Sequence, residues 1–407
     1  MNNKYILNLR NKFPILNKII NDYPLIYLDN AAITQVPNQV IIALSNYYKD
    51  MNANVHRGVY SLSEISTKYY EDTRHKIKTY INANSSDECI FVKNTTEGIN
   101  LVANSYVKPI LKKGDEILIS QIEHHSNIVP WFLLAREMGA VLKVIPLLET
   151  GDLDYSKFET LLSSKTKIVA ITHISNSIGT VNDIKYIIDI SHKYNIPVLI
   201  DGAQSILHTK IDVQKMNCDF LTISSHKMYG PSGVGVLYGK KSLLDKMIPY
   251  QGGGDMIKHV NFNNIIWNDL PYKFEAGTPS IGNIIAFGET INFLNSLDLN
   301  FLYKYKLELY NYIHEKLLDL STVKVIGNPK VRTSIISFVI KDIHAHDFGT
   351  LANYYGISVR TGHHCSIPVM EYYNLVSTVR ISLGFYNTME ELDKLVDIIF
   401  KSKKIFK

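Results

Sequence analysis

Two residues at the ends of separate apolar segments could together hold a carbonyl cofactor. Asp201 ends the apolar run 198–200, and Lys227 follows the run 220–223. A lysine amine forms an imine with the aldehyde of pyridoxal 5'-phosphate (PLP), and a carboxylate keeps the pyridine nitrogen of PLP protonated so that the ring accepts electrons. A lone lysine in a loop is most often a solvated surface residue. Its pairing with Asp201, and the turn at 230–233 that follows it, favour a PLP site instead.

Further polar residues around this pair could bind the rest of such a cofactor. Thr96 lies in the segment 94–98, between an apolar run and a helical pattern, and hydroxyl and N–H groups at a helix N-terminus can hold a phosphate. The same segment would serve equally as a helix cap without a ligand. Ser224 and His226 offer further phosphate donors, and Gln204 could donate a hydrogen bond to the ring hydroxyl oxygen.

Three more residues have the chemistry to act on a bound amino acid. His124 follows an apolar run that ends at Ser120, and could stack on a cofactor ring and move protons. Cys365 ends the segment 360–365, whose arginine and histidines favour the reactive thiolate. Arg380 is suited to bidentate binding of a carboxylate. The simpler alternatives are a structural histidine, an inert buried thiol and a salt-bridge arginine.

These residues fall within an alternation of short apolar runs and helical patterns. Runs with apolar residues at consecutive positions predict strands that are buried on both faces, as in a mostly parallel sheet covered by helices. Ligands then bind at the carboxyl ends of the strands, where Asp201 and Lys227 would meet. The predicted strands are 89–92, 116–119, 141–145, 167–171, 198–201 and 220–223.

A second, smaller α+β unit is predicted towards the C-terminus. The fold class is therefore α/β, with a large PLP-binding domain at 21–290 and a small domain at 291–407 that carries Cys365. Residues 1–20 are expected to pack on the small domain. The unit is predicted to contain a long helical stretch at 284–318, strands at 335–340 and 379–382, and helices at 346–355 and 389–400.

Composition excludes several classes of protein. The chain has 407 residues and a net charge of +5, with no dense basic block that would indicate a nucleic-acid partner. Its three cysteines form neither a disulfide framework nor a metal-binding pair, so no metal site is expected. No stretch approaches the ~20 apolar residues of a membrane span. We therefore expect a cytoplasmic enzyme that binds no membrane.

Taken together, the motifs resemble the group II (SufS-type) cysteine desulfurases, in the class V branch of fold-type I PLP enzymes. The resemblance covers nearly the whole chain. Its ordered matches lie at 27–32, 54–58, 95–105, 123–131, 201–204, 226–231, 274–279 and 360–365.

The resemblance implies a role for each matching residue. Lys227 would hold PLP and move the Cα proton, His124 would be the second acid/base, and Cys365 would accept sulfur from L-cysteine as a persulfide, releasing L-alanine. The cofactor would also be bound by Asp201, Gln204, Thr96, Ser224, His226 and, across a homodimer interface, the partner subunit's Thr278. The substrate would be held by Arg380, Asn176, Arg360 and His56.

The short loop before Cys365 resembles enzymes that pass sulfur to a dedicated acceptor protein, of the SufE or SufU kind, for iron–sulfur cluster assembly. Three alternatives stay open. Selenocysteine lyases share this scaffold and most of the motifs. A class V aminotransferase would need an amino acceptor and no cysteine, and a non-catalytic member of a cluster-assembly complex would not need PLP.

Overall fold

The computed structural model describes residues 2–406, so residues 1 and 407, the outer ends of the predicted N-terminal segment and small domain, lie outside it. Seventeen strands are present in this range. They are β1 (Ile19–Ile20), β2 (Tyr23–Pro24), β3 (Ile26–Tyr27), β4 (Cys89–Val92), β5 (Glu116–Ser120), β6 (Val141–Ile145), β7 (Thr166–Thr172), β8 (Val198–Asp201), β9 (Phe220–Ser224), β10 (Gly235–Gly239), β11 (Ile257–Asn261), β12 (Asn264–Trp267), β13 (Val323–Val325), β14 (Ile335–Ile340), β15 (Ile357–Ser358), β16 (Arg360–Gly362) and β17 (Thr378–Ser382).

Fifteen α-helices lie between these strands in the described range. They are α1 (Asn2–Arg10), α2 (Asn38–Asn46), α3 (Ser61–Tyr80), α4 (Thr95–Val102), α5 (Val129–Met138), α6 (Tyr155–Leu161), α7 (Ile184–Lys193), α8 (Ser205–His208), α9 (Val213–Met216), α10 (Lys241–Leu244), α11 (Ile281–Asn295), α12 (Leu299–Leu318), α13 (Ala345–Tyr354), α14 (Ile367–Tyr372) and α15 (Met389–Ile405). None of the described helices is both long and apolar enough to cross a bilayer.

A seven-stranded sheet forms the centre of the large domain, in the order β4-β10-β9-β8-β7-β5-β6. All pairings are parallel except those of β10, which runs antiparallel to both neighbours. The predicted mostly parallel α/β fold is thus confirmed, and all six predicted strands are present. The sequence prediction omitted β10 because glycines at 235 and 239 flank its three apolar residues and weaken the strand pattern.

The register of the parallel strands brings their carboxyl ends to one edge. Thr172 of β7 pairs with Asp201 of β8, and Asp201 pairs with Thr222 of β9. Every residue of β8 and β9 is buried, because helices cover both faces of the sheet. The residues that follow these strands therefore lie side by side.

The smaller unit is built on an antiparallel sheet in the order β13-β14-β17-β16. Helices α12 and α13 pack against this sheet, and α15 packs against both of these helices. Arg10 of α1 forms an ion pair with Glu391 of α15, at 2.7 Å, so the N-terminal segment contacts the C-terminal helix. Next to the small sheet, Asp29 forms a parallel bridge with Ser382.

The predicted long helix at 284–318 is wrong in one respect, because the chain forms two helices there. Helix α11 ends at Asn295, and Asp298 caps α12 by accepting a hydrogen bond from the Phe301 N–H at 3.0 Å. The apolar pattern continues across the break, which hid the capping aspartate. Helix α11 packs on α2 and α3 of the large domain, whereas α12 packs on the small sheet.

A buried arginine joins α3 to strand β4 and to the segment that precedes α11. The Arg74 guanidinium binds both carboxylate oxygens of Glu275, at 2.6 and 2.9 Å, and donates to the Cys89 carbonyl at 2.8 Å. Glu275 also accepts a hydrogen bond from the Phe91 N–H at 2.7 Å. Both side chains of this ion pair are almost fully buried.

We expect Arg74→Met to lower the free energy of unfolding by about 3–5 kcal/mol, because it leaves the Glu275 carboxylate buried without its counter-ion. Urea unfolding followed by circular dichroism would measure the loss. Lys185→Met is the control, since it removes only the half-exposed pair with Asp189 and should cost less than about 1 kcal/mol. Equal losses in the two variants would contradict the expectation.

Candidate active site

A cavity of about 260 Å³ opens at the carboxyl ends of β7, β8 and β9. The large domain supplies most of its wall, residues 31–32 close one side, and the small domain contributes Arg360, His364 and Arg380. Ten of the thirteen residues singled out from the sequence line this cavity: Thr96, His124, Asn176, Asp201, Gln204, Ser224, His226, Lys227, Arg360 and Arg380.

Lys227 and Asp201 enter the cavity from adjacent strands. Lys227 ends a single 3-10 turn that follows β9, and Asp201 is the last residue of β8. Burial lowers the pKa of Lys227, while the nearby carboxylate opposes that shift. Burial likewise raises the pKa of Asp201, and the charge of Lys227 opposes it. A lowered pKa makes the neutral amine, which attack on an aldehyde requires, easier to form.

Asp201 and Gln204 are suited to the two polar positions of a pyridine ring that carries a hydroxyl. The Asp201 carboxylate accepts one hydrogen bond from the Ala203 N–H at 2.9 Å, and its burial calls for a cationic partner. The Gln204 amide nitrogen donates to the Ala31 carbonyl at 2.7 Å, while its buried Oε1 has no partner among the described residues. A second amide hydrogen and Oε1 therefore remain for a ligand.

The residues predicted to bind phosphate lie around the N-terminus of α4 and the end of β9. Asn94 caps this helix by accepting a hydrogen bond from the Glu97 N–H at 3.0 Å. Ser224 Oγ lies 2.8 Å from the Thr95 nitrogen and 2.9 Å from Thr95 Oγ1, which ties α4 to the end of β9. Gly98 allows this close approach, since a Cβ there would lie 2.7 Å from Thr222 Cγ2.

Sequence reasoning missed Thr95 and Ser126 in this part of the site. Thr96 Oγ1 lies 2.8 Å from Ser126 Oγ, so the segment 94–98 contacts the turn that carries His124. Thr95 and Ser126 both line the cavity. The available signal was their position inside the matching segments 95–105 and 123–131, but hydroxyl residues at helix starts usually serve as caps.

His124 is held as a neutral imidazole. Burial and the positive charge of Lys227 lower its pKa to about 3. Its Nδ1 accepts hydrogen bonds from the Ser126 N–H at 3.0 Å and from the Ser126 hydroxyl at 2.8 Å. A backbone N–H can only donate, so Nδ1 carries no proton and the ring hydrogen is on Nε2. The ring can therefore donate a proton from Nε2.

Cys365 lies beside the cavity, on a tightly turned loop. Gly362, His364 and Cys365 all have positive φ, at 111°, 54° and 56°. The loop is tied to its neighbours because the Cys365 carbonyl accepts from the His125 N–H at 2.8 Å and Asn176 Nδ2 donates to the His364 carbonyl at 2.7 Å. Cys365 Sγ is 3.8 Å from Arg360 Nη2, so a cationic group faces the thiol.

Arg380 has one side of its guanidinium left for a ligand. Nη2 pairs with Asp29 at 2.7 Å, and Nη1 donates to the Asn176 carbonyl at 2.8 Å. The buried Nε has no partner within residues 2–406. The Nε–H and the second Nη2 hydrogen point the same way, which is the fork that binds a carboxylate with two hydrogen bonds.

Two predicted residues lie away from this cavity. Thr278 lines a separate surface groove with residues 47–48, 52–54 and 279–282. His56 Nε2 lies 3.0 Å from Glu71 Oε1. Burial opposes ionisation of the Glu71 carboxyl, but the hydrogen bonds and charges of His56 and Arg74 outweigh it and lower the pKa of Glu71 to about 2. The single chain therefore does not bring Thr278 or His56 to Lys227.

Comparison with known proteins identifies the family. The profile of the aminotransferase class-V family matches residues 26–395. The chain belongs to this family. PLP is its cofactor, as the sequence predicted, and the residues that line the cavity fit PLP because a lysine, a buried carboxylate and a hydroxyl-rich helix start converge there.

The similar proteins include cysteine desulfurases from several organisms. The chain is 46% identical over 404 residues to the cysteine desulfurase of Wigglesworthia glossinidia brevipalpis, covering 99% of this chain and 98% of that one. A probable cysteine desulfurase of Halalkalibacterium halodurans is also 46% identical, covering 98% of each chain. The crystal structure of the cysteine desulfurase CsdA from Escherichia coli superposes with a TM-score of 0.92 at 32% identity, covering 98% of both chains.

Because its pKa is lowered, His124 is predicted to destabilise the folded protein at acidic pH. The unfolded chain binds a proton at this histidine below about pH 6.5, whereas the folded protein binds it only near pH 3, so the free energy of unfolding falls as the pH drops through this window. His124→Gln should reduce this pH slope by up to about 1.4 kcal/mol per pH unit. Urea unfolding between pH 4.5 and 6.5 measures it, with exposed His75→Gln as the control. An unchanged slope in His124→Gln would refute the assignment.

Proposed function

We propose that the protein is a SufS-type cysteine desulfurase, which converts L-cysteine to L-alanine and forms a persulfide on Cys365. The observation that carries this proposal is the placement of Cys365 Sγ beside Arg360, which lines the cavity together with Lys227 and Arg380. An aminotransferase would need no thiol at this position. The likeness to cysteine desulfurases along the whole chain supports the proposal.

In this reaction, PLP supplies an electron sink that stabilises negative charge at the Cα of the amino acid. The protein supplies the remaining groups. Arg380 binds the substrate carboxylate through its free Nε–Nη2 edge. Lys227, whose pKa is lowered by burial, acts as the neutral amine that removes the Cα proton.

The sulfur transfer then involves Cys365 and His124. The Cys365 thiolate attacks the substrate sulfur, so an S–S bond forms as the Cβ–S bond of the substrate breaks. His124 Nε2–H is the proton donor to the carbon product, and the proton that the Cys365 thiol gives up as it becomes the attacking thiolate returns to Nε2. Cysteine and a protein thiol give alanine and a protein persulfide, with atoms and electrons balanced.

Cys365→Ser should leave the absorption band of bound PLP intact and abolish alanine release from L-cysteine. The physical reason is that a serine hydroxyl is a far weaker nucleophile towards sulfur than a thiolate. Alanine is measured alongside the absorption spectrum before and after L-cysteine is added. Cys218→Ser is the control, since Cys218 is fully buried and burial raises its pKa to about 12. Alanine release at the normal rate from Cys365→Ser would overturn the persulfide role.

We further propose that the enzyme is a homodimer in which the partner's Thr278 completes the phosphate site. His56 would likewise reach the substrate of the partner subunit. Support comes from their location on the surface, away from the chain's own Lys227, in segments that otherwise match the desulfurase motifs.

Co-expression of Lys227→Ala and Thr278→Val chains tests this composite site. The mixed dimer has one site with both residues intact and one site with neither. At limiting PLP, random pairing should leave about a quarter of all sites intact, because half of the dimers are mixed. Alanine release is compared with a mixture of the two separately purified variants. Equal activity in the two samples would place Thr278 in its own chain's site.

The persulfide sulfur is proposed to pass to a SufE- or SufU-like acceptor for iron–sulfur cluster assembly in the cytoplasm. All three cysteines are free in the structure, which suits a reducing compartment.

The predicted division into residues 1–20, 21–290 and 291–407 is retained as part of this proposal. Comparing L-cysteine with L-selenocysteine in the alanine assay separates the desulfurase from a selenocysteine lyase.

A further inference from the structure

Glu123 precedes His124, and its carboxyl group is completely buried. Oε1 accepts hydrogen bonds from the Thr172 N–H at 2.9 Å and from the Ser120 hydroxyl at 2.5 Å. Oε2 accepts one from the Asn127 amide at 2.7 Å. The carboxyl group thus spans the turn that holds His124, bonding to residues before it, after it and on the neighbouring strand β7.

The chemistry of the neighbours fixes the direction of these bonds. The Trp131 indole N–H can only donate, and it donates to Asn127 Oδ1 at 2.8 Å. The Asn127 amide must therefore present its NH₂ group to Glu123. The backbone N–H of Thr172 is also an obligatory donor. Position 123 consequently needs an acceptor at both of its terminal atoms.

Asn127 transmits this constraint to the ring of His124. The Asn127 N–H closes the turn on the His124 carbonyl at 2.8 Å, and within this turn the Ser126 N–H donates to His124 Nδ1 at 3.0 Å. Displacing Asn127 would move the Ser126 N–H. His124 would then lose the contact that keeps its proton on Nε2.

We propose that Glu123, acting with Asn127, is a positioning residue that holds His124 in the orientation and tautomer needed for proton donation. This inference rests on the proposed desulfurase chemistry for its kinetic consequence. Its structural consequence, the position of the proton on His124, stands independently of that chemistry. Within the motif 123–127, the sequence predicted a role only for His124.

The polarity of the network does not depend on the charge of Glu123. Burial raises the pKa of Glu123 to about 8, although its three hydrogen-bond donors oppose the shift. When the carboxyl takes up a proton, Ser120 is the one neighbour that can turn from donor to acceptor. A glutamine at position 123 cannot adapt in this way. In either orientation its NH₂ group would face another donor, the Asn127 NH₂ or the Thr172 N–H.

A polarity exchange tests the proposal in the holoenzyme. Glu123→Gln places two donors face to face, and the double variant E123Q/N127D restores every bond with the direction of one bond reversed and the net charge unchanged. We expect E123Q to lower kcat for alanine release by about 10- to 100-fold with little change in KM, because the acid is misplaced while substrate binding is kept. The double variant should regain most of the kcat that E123Q loses, and it should regain the melting temperature of the wild type.

The second measurement is the long-range ¹H–¹⁵N spectrum of the protein labelled with ¹⁵N-histidine, in which His124 is assigned by its loss in His124→Gln. Wild type and the double variant should show the proton on Nε2, and E123Q should show a mixture of tautomers. Normal kcat in E123Q, or a double variant that regains its melting temperature but not kcat, would overturn the proposal. If E123Q does not fold, the double variant alone decides, by its kcat and its tautomer.

This design separates two kinds of failure. If the wild type releases no alanine from L-cysteine, the proposed function fails. The NMR comparison still reports whether position 123 controls the His124 proton. If the wild type is active but His124 is unaffected in E123Q, the positioning role fails alone.

Discussion

The parallel pairing of β7, β8 and β9 is the constraint on which the rest of this site depends. Its register sets Thr172, Asp201 and Thr222 side by side, so that the residues after each strand enter one cavity. A shift of register by one residue would turn Asp201 to the opposite face of the sheet. Lys227, Asp201 and the loop that follows Thr172 are thereby fixed relative to one another by backbone hydrogen bonds.

Desolvation gives this arrangement its reactivity. Lys227, His124 and Asp201 are all displaced towards their neutral forms by burial, and the mutual attraction of Lys227 and Asp201 limits the displacement. A buried charge without a partner is costly, so the cavity favours a ligand that brings complementary groups. PLP fits this requirement, because its cationic ring nitrogen would complement Asp201 and its anionic phosphate would complement the start of α4.

The small domain contributes to the site through short connections rather than through a large surface. Asp29 bridges to Ser382 in the backbone and forms an ion pair with Arg380, while Asn176 supports both Arg380 and the loop before Cys365. Cys365 and Arg380 therefore have a common support. The turn at His124 is joined to the same loop through His125, so His124 and Cys365 are held in fixed relative positions.

The sequence by itself determined six of the seven strands of the large sheet, because apolar runs are local signals. It also indicated the cofactor and most of the residues that line the cavity, through polar residues at strand ends and through the resemblance of its motifs to a known family. Lys227, Asp201 and Cys365 stood out by residue type and neighbours. Only the tertiary structure decided the break at Asp298, the antiparallel strand β10, the support given by Asn176 and the burial of Glu123. The cap at Asp298 is local but was hidden by the continuing apolar pattern, and the others depend on contacts between residues distant in the chain or on burial that this pattern does not reveal. The separation of Thr278 and His56 from Lys227 also became visible only in three dimensions, since it is a property of how one chain folds on itself.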